Sequence, residues 1–301
     1  MKIRIVTDSA ANLFTSMEED LVSVPLKIHT DVKEYVDDDH MDTKELTEDL
    51  AVYKGKSGSA CPSAGEWLEA FGDAEYVIGV TITSNLSGSY NAAMVAKAEY
   101  ESEYPDRKVF IIDTLSAGPE MRLIIEKMQD WIAEGKDFQE ICKEISEYRK
   151  HTSLIFCLKS MRNLANNGRV SPVVAKIAGV LGIHAVGIAS EQGTLEQKDK
   201  ARGEKKALLS ILKVMKELGY KGGRVQIDHC FNKEAALELK EKILALFQHA
   251  DVRIGITKGL CSFYAEQGGL MVGFEHYLVV EWLCGRYNLT ILLRKEKRKR
   301  T

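Results

Sequence analysis

The sequence predicts an α/β protein of two domains built on mostly parallel sheets. Three observations carry that prediction. Short runs rich in β-branched residues alternate with segments of helical period along most of the chain. The 301 residues are enough for about two domains of ordinary size. Polar clusters recur just past the strand ends, where open α/β sheets place their ligands.

Ile3–Thr7 reads as the first strand and Val22–Ile28 as the second. Thr43–Tyr53 has helical period. Ser57 to Ser63 reads as a loop: Pro62 disfavours helix at Cys61, and Ser63 can cap a helix starting at Ala64. Tyr76–Thr83 is the next strand, and the turn Ser84–Ser89 leads into a helix over Ser87–Tyr104, with Ser87 as its natural N-cap. Lys108–Asp113 follows as a strand, then helices at Met121–Glu134 and Asp137–Lys150. Beyond His151 the strands are Leu154–Leu158, Ala185–Ala189, Arg224–Asp228 and Arg253–Thr257. Helices over Glu204–Leu218, stopped by Gly219, and Lys233–Phe247, opened by Asn232, separate the last three. No repeat or low-complexity linker appears, so the predicted division is 1–150 and 151–275, with an atypical basic extension at 276–301.

Net charge is −3, but residues 276–301 hold seven Lys and Arg against two Asp and Glu. The first 275 residues therefore hold 34 basic and 42 acidic side chains, which gives no nucleic-acid footprint. The six cysteines form no CxxC pair and no metal-ligand spacing with histidine, so a reduced, mostly buried set is expected. The first apolar run, Ile3 to Val6, is too short for a signal-peptide core, and a cytoplasmic location is expected. In the extension, Glu281 and Arg286 interrupt the apolar stretch His276–Leu293 and argue against a membrane span. The run Arg294–Arg300 reads as a solvated tail, with transient contact to an anionic bilayer as the other reading.

Five polar clusters are candidates for chemistry: Thr7-Asp8-Ser9, Ser57–Ser63, Ser84–Ser89, Asp113-Thr114 and Asn166–Arg169. Asp8 and Ser9 suit a strand-end turn as well as they suit a site. Ser87 precedes a helix N-terminus, which offers unpaired N–H groups and the positive dipole end. A serine hydrolase would need a base and usually GxSxG; here the text is Asn85-Leu86-Ser87-Gly88-Ser89. Walker A and GxGxxG loops are absent, and Asp37-Asp38-Asp39-His40 lacks the spacing and turn glycine of a hard-metal loop. No cofactor or metal is expected.

Six segments, in order, resemble motifs of the DegV family of fatty-acid-binding proteins: TDSAANL (7–13), SACPSAGEW (59–67), LSGSYNAA (86–93), IIDT (111–114), NNGRVS (166–171) and ARGEKKAL (201–208). The resemblance covers about residues 3–274. It implies two α/β domains with a long-chain fatty acid in the crevice between them. It implies that Ser59 and Ser87, with N–H groups near Gly88, bind the carboxylate, and that 151–275 covers the acyl chain. It further implies a non-catalytic protein that presents its ligand to a separate fatty acid kinase subunit. Ser59 stands where the family has threonine, and Tyr264–Gly269 replaces its HxGPG turn, so no histidine is available there.

Elementary energetics agree with this reading. Burial of about 0.8 kcal/mol per methylene gives a sixteen-carbon chain on the order of 10 kcal/mol before costs. The head group need only avoid burial without partners. Neutral hydroxyls achieve that and leave the carboxylate reachable by a phosphoryl donor. Asp8, Ser9, Ser63, Asp113 and Arg169 are expected to line a secondary pocket or brace the crevice. Arg169 has three readings: a carboxylate partner, a brace, or a solvated side chain. Bracing against acidic or carbonyl groups such as Asp8 or Asp113 is preferred. Arg202 is expected either at a solvated helix start or as a docking point for the kinase. The competing class is an acyl-transfer or hydrolase enzyme using Ser87.

Overall fold

The structure is a computed structural model describing residues 2–13, 20–171 and 182–276. In chain order the strands are β1 (Ile3–Asp8), β2 (Leu21–Val24), β3 (Lys27–Thr30), β4 (Glu34–Val36), β5 (Ser57–Ala60), β6 (Tyr76–Thr81), β7 (Lys108–Asp113), β8 (Thr152–Leu158), β9 (Ile183–Ala189), β10 (Leu195–Arg202), β11 (Gly223–His229), β12 (Ala250–Ile256) and β13 (Leu270–Glu275). The helices are α1 (Thr43–Val52), α2 (Ala64–Phe71), α3 (Ser89–Glu103), α4 (Pro119–Ala133), α5 (Phe138–Tyr148), α6 (Arg162–Asn166), α7 (Glu204–Glu217), α8 (Lys233–Leu246) and α9 (Gly259–Ala265). A 3-10 turn at Ser9–Ala11 follows β1.

Sheet one has the order β2-β1-β6-β7 and is parallel throughout. Its strands are largely apolar on both sides because both faces are covered. Ile78 and Val80 pack with Met121, Ile124 and Ile145 of α4 and α5. Val77, Val109 and Ile111 point the other way, to Trp67 and Phe71 of α2 and Ala93 and Ala96 of α3. Sheet two has the order β10-β9-β8-β13-β11-β12. Leu208, Ile211 and Met215 of α7 and Leu239 and Ile243 of α8 cover one of its faces.

Helix α4 joins the two sheets. One side lies in the core of sheet one, and the other packs on β13 and β11. Gly273 permits that approach: a Cβ there would lie 2.5 Å from Glu120 N. Polar side chains on α4 complete the contact. Glu126 accepts from Arg253 of β12 at 2.5 Å, and Asp130 pairs with Arg224 of β11. A third, small sheet, β4-β3-β5, buries Ile28 and Tyr35 against Leu46 of α1 and Phe263 of α9.

The α/β class stands, but the expectation of mostly parallel sheets holds only for sheet one. Sheet two is antiparallel at every pairing except β11–β12. The reason lies in the connections: β9 and β10 are joined by a hairpin at 190–194, too short for the crossover that parallel pairing needs. β13 then inserts antiparallel between β8 and β11. The single strand expected over Val22–Ile28 is two, broken at Pro25, which has no N–H for the ladder. The stretch expected as a loop at Ser57 is β5, paired antiparallel with β3. Among the described residues no helix is long and apolar enough to cross a membrane. Of the basic extension expected at 276–301, residues 277–301 lie outside the described residues.

Candidate functional site

The site begins where β6 ends and the chain turns through Ile82–Gly88 into α3. Gly88, not Ser87, is the N-cap of α3. Ser87 Oγ accepts from Ser89 N at 3.3 Å, so the chain bends one residue later than a serine cap would require. Accepting there leaves the Ser87 hydroxyl proton to donate.

Two carboxyls, the buried Asp8 and the half-buried Asp113, hold this turn from behind. Asp8, fully buried at the end of β1, accepts from Ile82 N at 2.9 Å, Ser89 Oγ at 2.7 Å and Ala10 N at 3.2 Å. Burial pushes its carboxyl up to about 7, and those hydrogen bonds limit the rise. Asp113 accepts from Ser84 N at 3.2 Å and Leu115 N at 3.0 Å. Ser9 Oγ accepts from Leu26 N at 3.0 Å and also bonds Asp37. Asp37 receives Gly259 N at 2.8 Å and Leu260 N at 2.9 Å, which anchors the start of α9. The acidic run Asp37–His40 is thus structural: Asp38 accepts from His40 N, and Asp39 pairs with the buried Lys258 at 2.8 Å.

In front of the turn lies a cavity of about 320 Å³. Its walls are apolar and come from the turn after β6 (Ile82), the small sheet (Ala60), sheet two (Leu154, Phe156, Met271) and α9 (Leu260). Its polar lining is Ser59, Ser87, Gly88, Arg169 and Tyr264, with the thiols of Cys61 and Cys261 beside them. Ser59 and Tyr264 are hydrogen-bonded to each other at 2.7 Å between hydroxyls. The Arg169 guanidinium sits 5.8 Å from the centre of the Tyr264 ring.

The structure therefore brings together Ser59, Ser87, Gly88 and Arg169, and places Asp8, Ser9, Ser63 and Asp113 outside the cavity lining. Ser63 is exposed and caps α2 in a reciprocal capping box with Glu66. Among the described residues Arg169 meets carbonyl oxygens and no acid. Its Nε donates to Leu86 O at 3.2 Å and its Nη1 to Asn167 O at 2.5 Å. The carboxylates expected to receive it, Asp8 and Asp113, are committed to backbone N–H groups. Arg202 is exposed at the end of β10, away from the cavity.

Two features were not foreseen in the sequence. One is Tyr264, hidden in a turn read only for its missing histidine. The other is a clasp: the tip of the β9–β10 hairpin grips the Ser87 turn, with Thr83 Oγ1 donating to Gly193 O at 2.9 Å and Asn85 Nδ2 to Gln192 O at 2.5 Å. Gly193 has φ +75°, and a Cβ there would lie 2.2 Å from Thr83 Oγ1, so only glycine fits. Among the described residues no group of three His, Cys, Asp or Glu is placed to hold a metal.

The comparisons with known proteins bear on this geometry. The model of the DegV family, described as uncharacterised proteins, matches residues 2–276. A DegV domain-containing protein of Streptococcus pneumoniae is 40% identical over 279 residues, covering 91% of this chain and 99% of its own length. A DegV family protein of Eubacterium eligens, solved with heptadecanoic acid, is 44% identical with a TM-score of 0.89, over 91% of this chain and 100% of that one. The Streptococcus pneumoniae Fatty Acid Kinase (Fak) B3 protein, solved with linoleic acid, is 40% identical with a TM-score of 0.90, over 92% and 100% of the two chains. With its motifs, its fold and its length from residue 2 to 276 all matched, this chain belongs to the DegV family.

Proposed function

We propose that the protein binds a long-chain fatty acid, with Ser59, Ser87 and the N–H groups near Gly88 holding its carboxylate. The observation that carries this reading is the cavity itself: a mostly apolar lining with few polar groups, among them Ser59, Tyr264 and Arg169 close to one another. Its volume of about 320 Å³ falls at the small end of ligand sites. Residues 1–150 carry the carboxylate-binding loops and 151–275 cover the acyl chain. Two relatives at 40% identity or more were solved with fatty acids, and one is named as a fatty acid kinase B protein. On this reading the chain is a cytoplasmic carrier without catalysis of its own, which presents the carboxylate to a separate kinase subunit, with Arg202 at the docking surface. It needs no cofactor beyond the lipid.

The competing reading, acyl transfer by Ser87, needs a base. Among the described residues no histidine, lysine or carboxylate lies within hydrogen-bond distance of Ser87 Oγ, whose partner is Ser89 N. Native and denaturing mass spectrometry of the purified protein separate the two. A fatty-acid mass present in the native spectrum and lost on denaturation is the expected result. A mass that survives denaturation and maps to Ser87 would establish an acyl-enzyme instead.

A further inference from the structure

Tyr264 enters the cavity from the end of α9. Its ring packs on Phe263 with centroids 4.7 Å apart, beneath the Arg169 guanidinium at 5.8 Å. Its hydroxyl lies 2.7 Å from Ser59 Oγ. Both residues line the cavity, although 205 positions separate them in the chain. Two hydroxyls at that distance hold one proton between them and leave a second to point elsewhere. The direction follows from acidity. A phenol is a far stronger acid than an alkyl alcohol, so the favoured order is Tyr264 donating to Ser59. A hydroxyl that accepts such a bond is polarised into a better donor itself. The outward proton is then that of Ser59, facing the cavity.

Resting on the lipid-binding reading above, we propose that Tyr264 is a positioning residue that selects a carboxylate head group by holding the Ser59 hydroxyl with its proton turned into the cavity. A carboxylate can only accept, and it gains more from an oriented donor than a neutral oxygen does. An alcohol of the same chain length gains less. The phenol stays neutral through the physiological range because burial raises its pKa above the ordinary tyrosine value. The selection therefore needs no titrating group.

The test compares palmitate with hexadecanol, each displacing a fluorescent fatty acid, on the wild type, Tyr264→Phe, Ser59→Ala and the double variant. Tyr264→Phe should weaken palmitate about tenfold and leave hexadecanol within about twofold, the loss typical of a charge-assisted hydrogen bond. The double variant should bind palmitate no more weakly than Ser59→Ala, because Tyr264 acts through Ser59. Ser59→Thr keeps the hydroxyl and should keep the preference. Equal losses for acid and alcohol in Tyr264→Phe would reduce Tyr264 to packing and overturn the proposal. So would additive losses in the double variant. A wild-type protein that binds neither ligand would overturn the lipid-binding reading itself.

Discussion

Replacing Asp8 with asparagine should remove a large part of the pH dependence of stability in the lipid-free protein. The wild-type carboxyl is fully buried and held at about 7 instead of 3.8. A folded-state value raised above the unfolded one adds stability that is complete below about 3.8 and is lost as pH rises through 7. Applying linkage to those two values, Asp8 alone makes the protein about 2 kcal/mol less stable at pH 8 than at pH 5.5. Glu120, buried and pushed up to about 7, acts in the same direction over the same window, and Asp228, pushed up to about 6, does so more weakly. His184, His229 and His276 act oppositely. Burial lowers each below its ordinary value, so their contribution is lost as pH falls. The wild-type profile is thus a sum of opposed slopes, and the difference between wild type and Asp8→Asn isolates the one group. Asparagine also turns an N–H toward one of the three donors, so the baseline stability should drop, but the slope is the readout. Urea midpoints at pH 5.5, 7 and 8 measure it. If the two profiles run parallel, Asp8 does not carry the buried charge assigned to it, and the account of how the Ser87 turn is held fails with it.

Two further predictions concern arginines. Arg169→Ala should lower the thermal midpoint and weaken lipid retention together, because the guanidinium joins its own turn to Leu86 O beside Ser87; about 1–2 kcal/mol is expected for the lost bonds. Arg169→Lys should fall between, and a lipid affinity lost with the lipid-free melt unchanged would assign Arg169 to the carboxylate instead. Arg202→Ala should leave lipid affinity at the wild-type value and slow phosphorylation of the bound acid by the cognate kinase; equal rates would remove Arg202 from the docking surface.

Most of sheet one was legible because its strands are buried on both faces and so carry apolar runs such as Val77–Ile78 and Val109–Ile112. β13, an apolar run at Leu270–Glu275, was passed over, and two other elements escaped because their residues look like something else. β10 reads Leu-Glu-Gln-Lys-Asp-Lys-Ala-Arg, an edge strand whose outward positions are charged. β5 reads Ser-Gly-Ser-Ala, loop composition made strand by pairing with β3. Direction was less legible still, since parallel or antiparallel pairing follows from connections such as the 190–194 hairpin and not from strand composition.

The site divides the same way. Ser59 and Ser87 were found because each sits in a short motif, whereas Tyr264 matters only through a neighbour 205 residues distant. The division of charge around the cavity explains the residue types. The carboxyls of Asp8, Asp37 and Asp228 are buried and turned onto N–H and amide groups: Ile82 N for the first, Gly259 N and Leu260 N for the second, Asn12 Nδ2 and Gln226 Nε2 for the third. None of the three lines the cavity. Had any of them faced it, a carboxylate ligand would meet like charge in a low-dielectric space. The polar groups that do face it are two serines, a phenol, a guanidinium and two thiols, with no carboxylate among them. Acids hold the backbone in place behind the cavity, while hydroxyls and a guanidinium face it, the division of charge that suits the proposed carboxylate ligand.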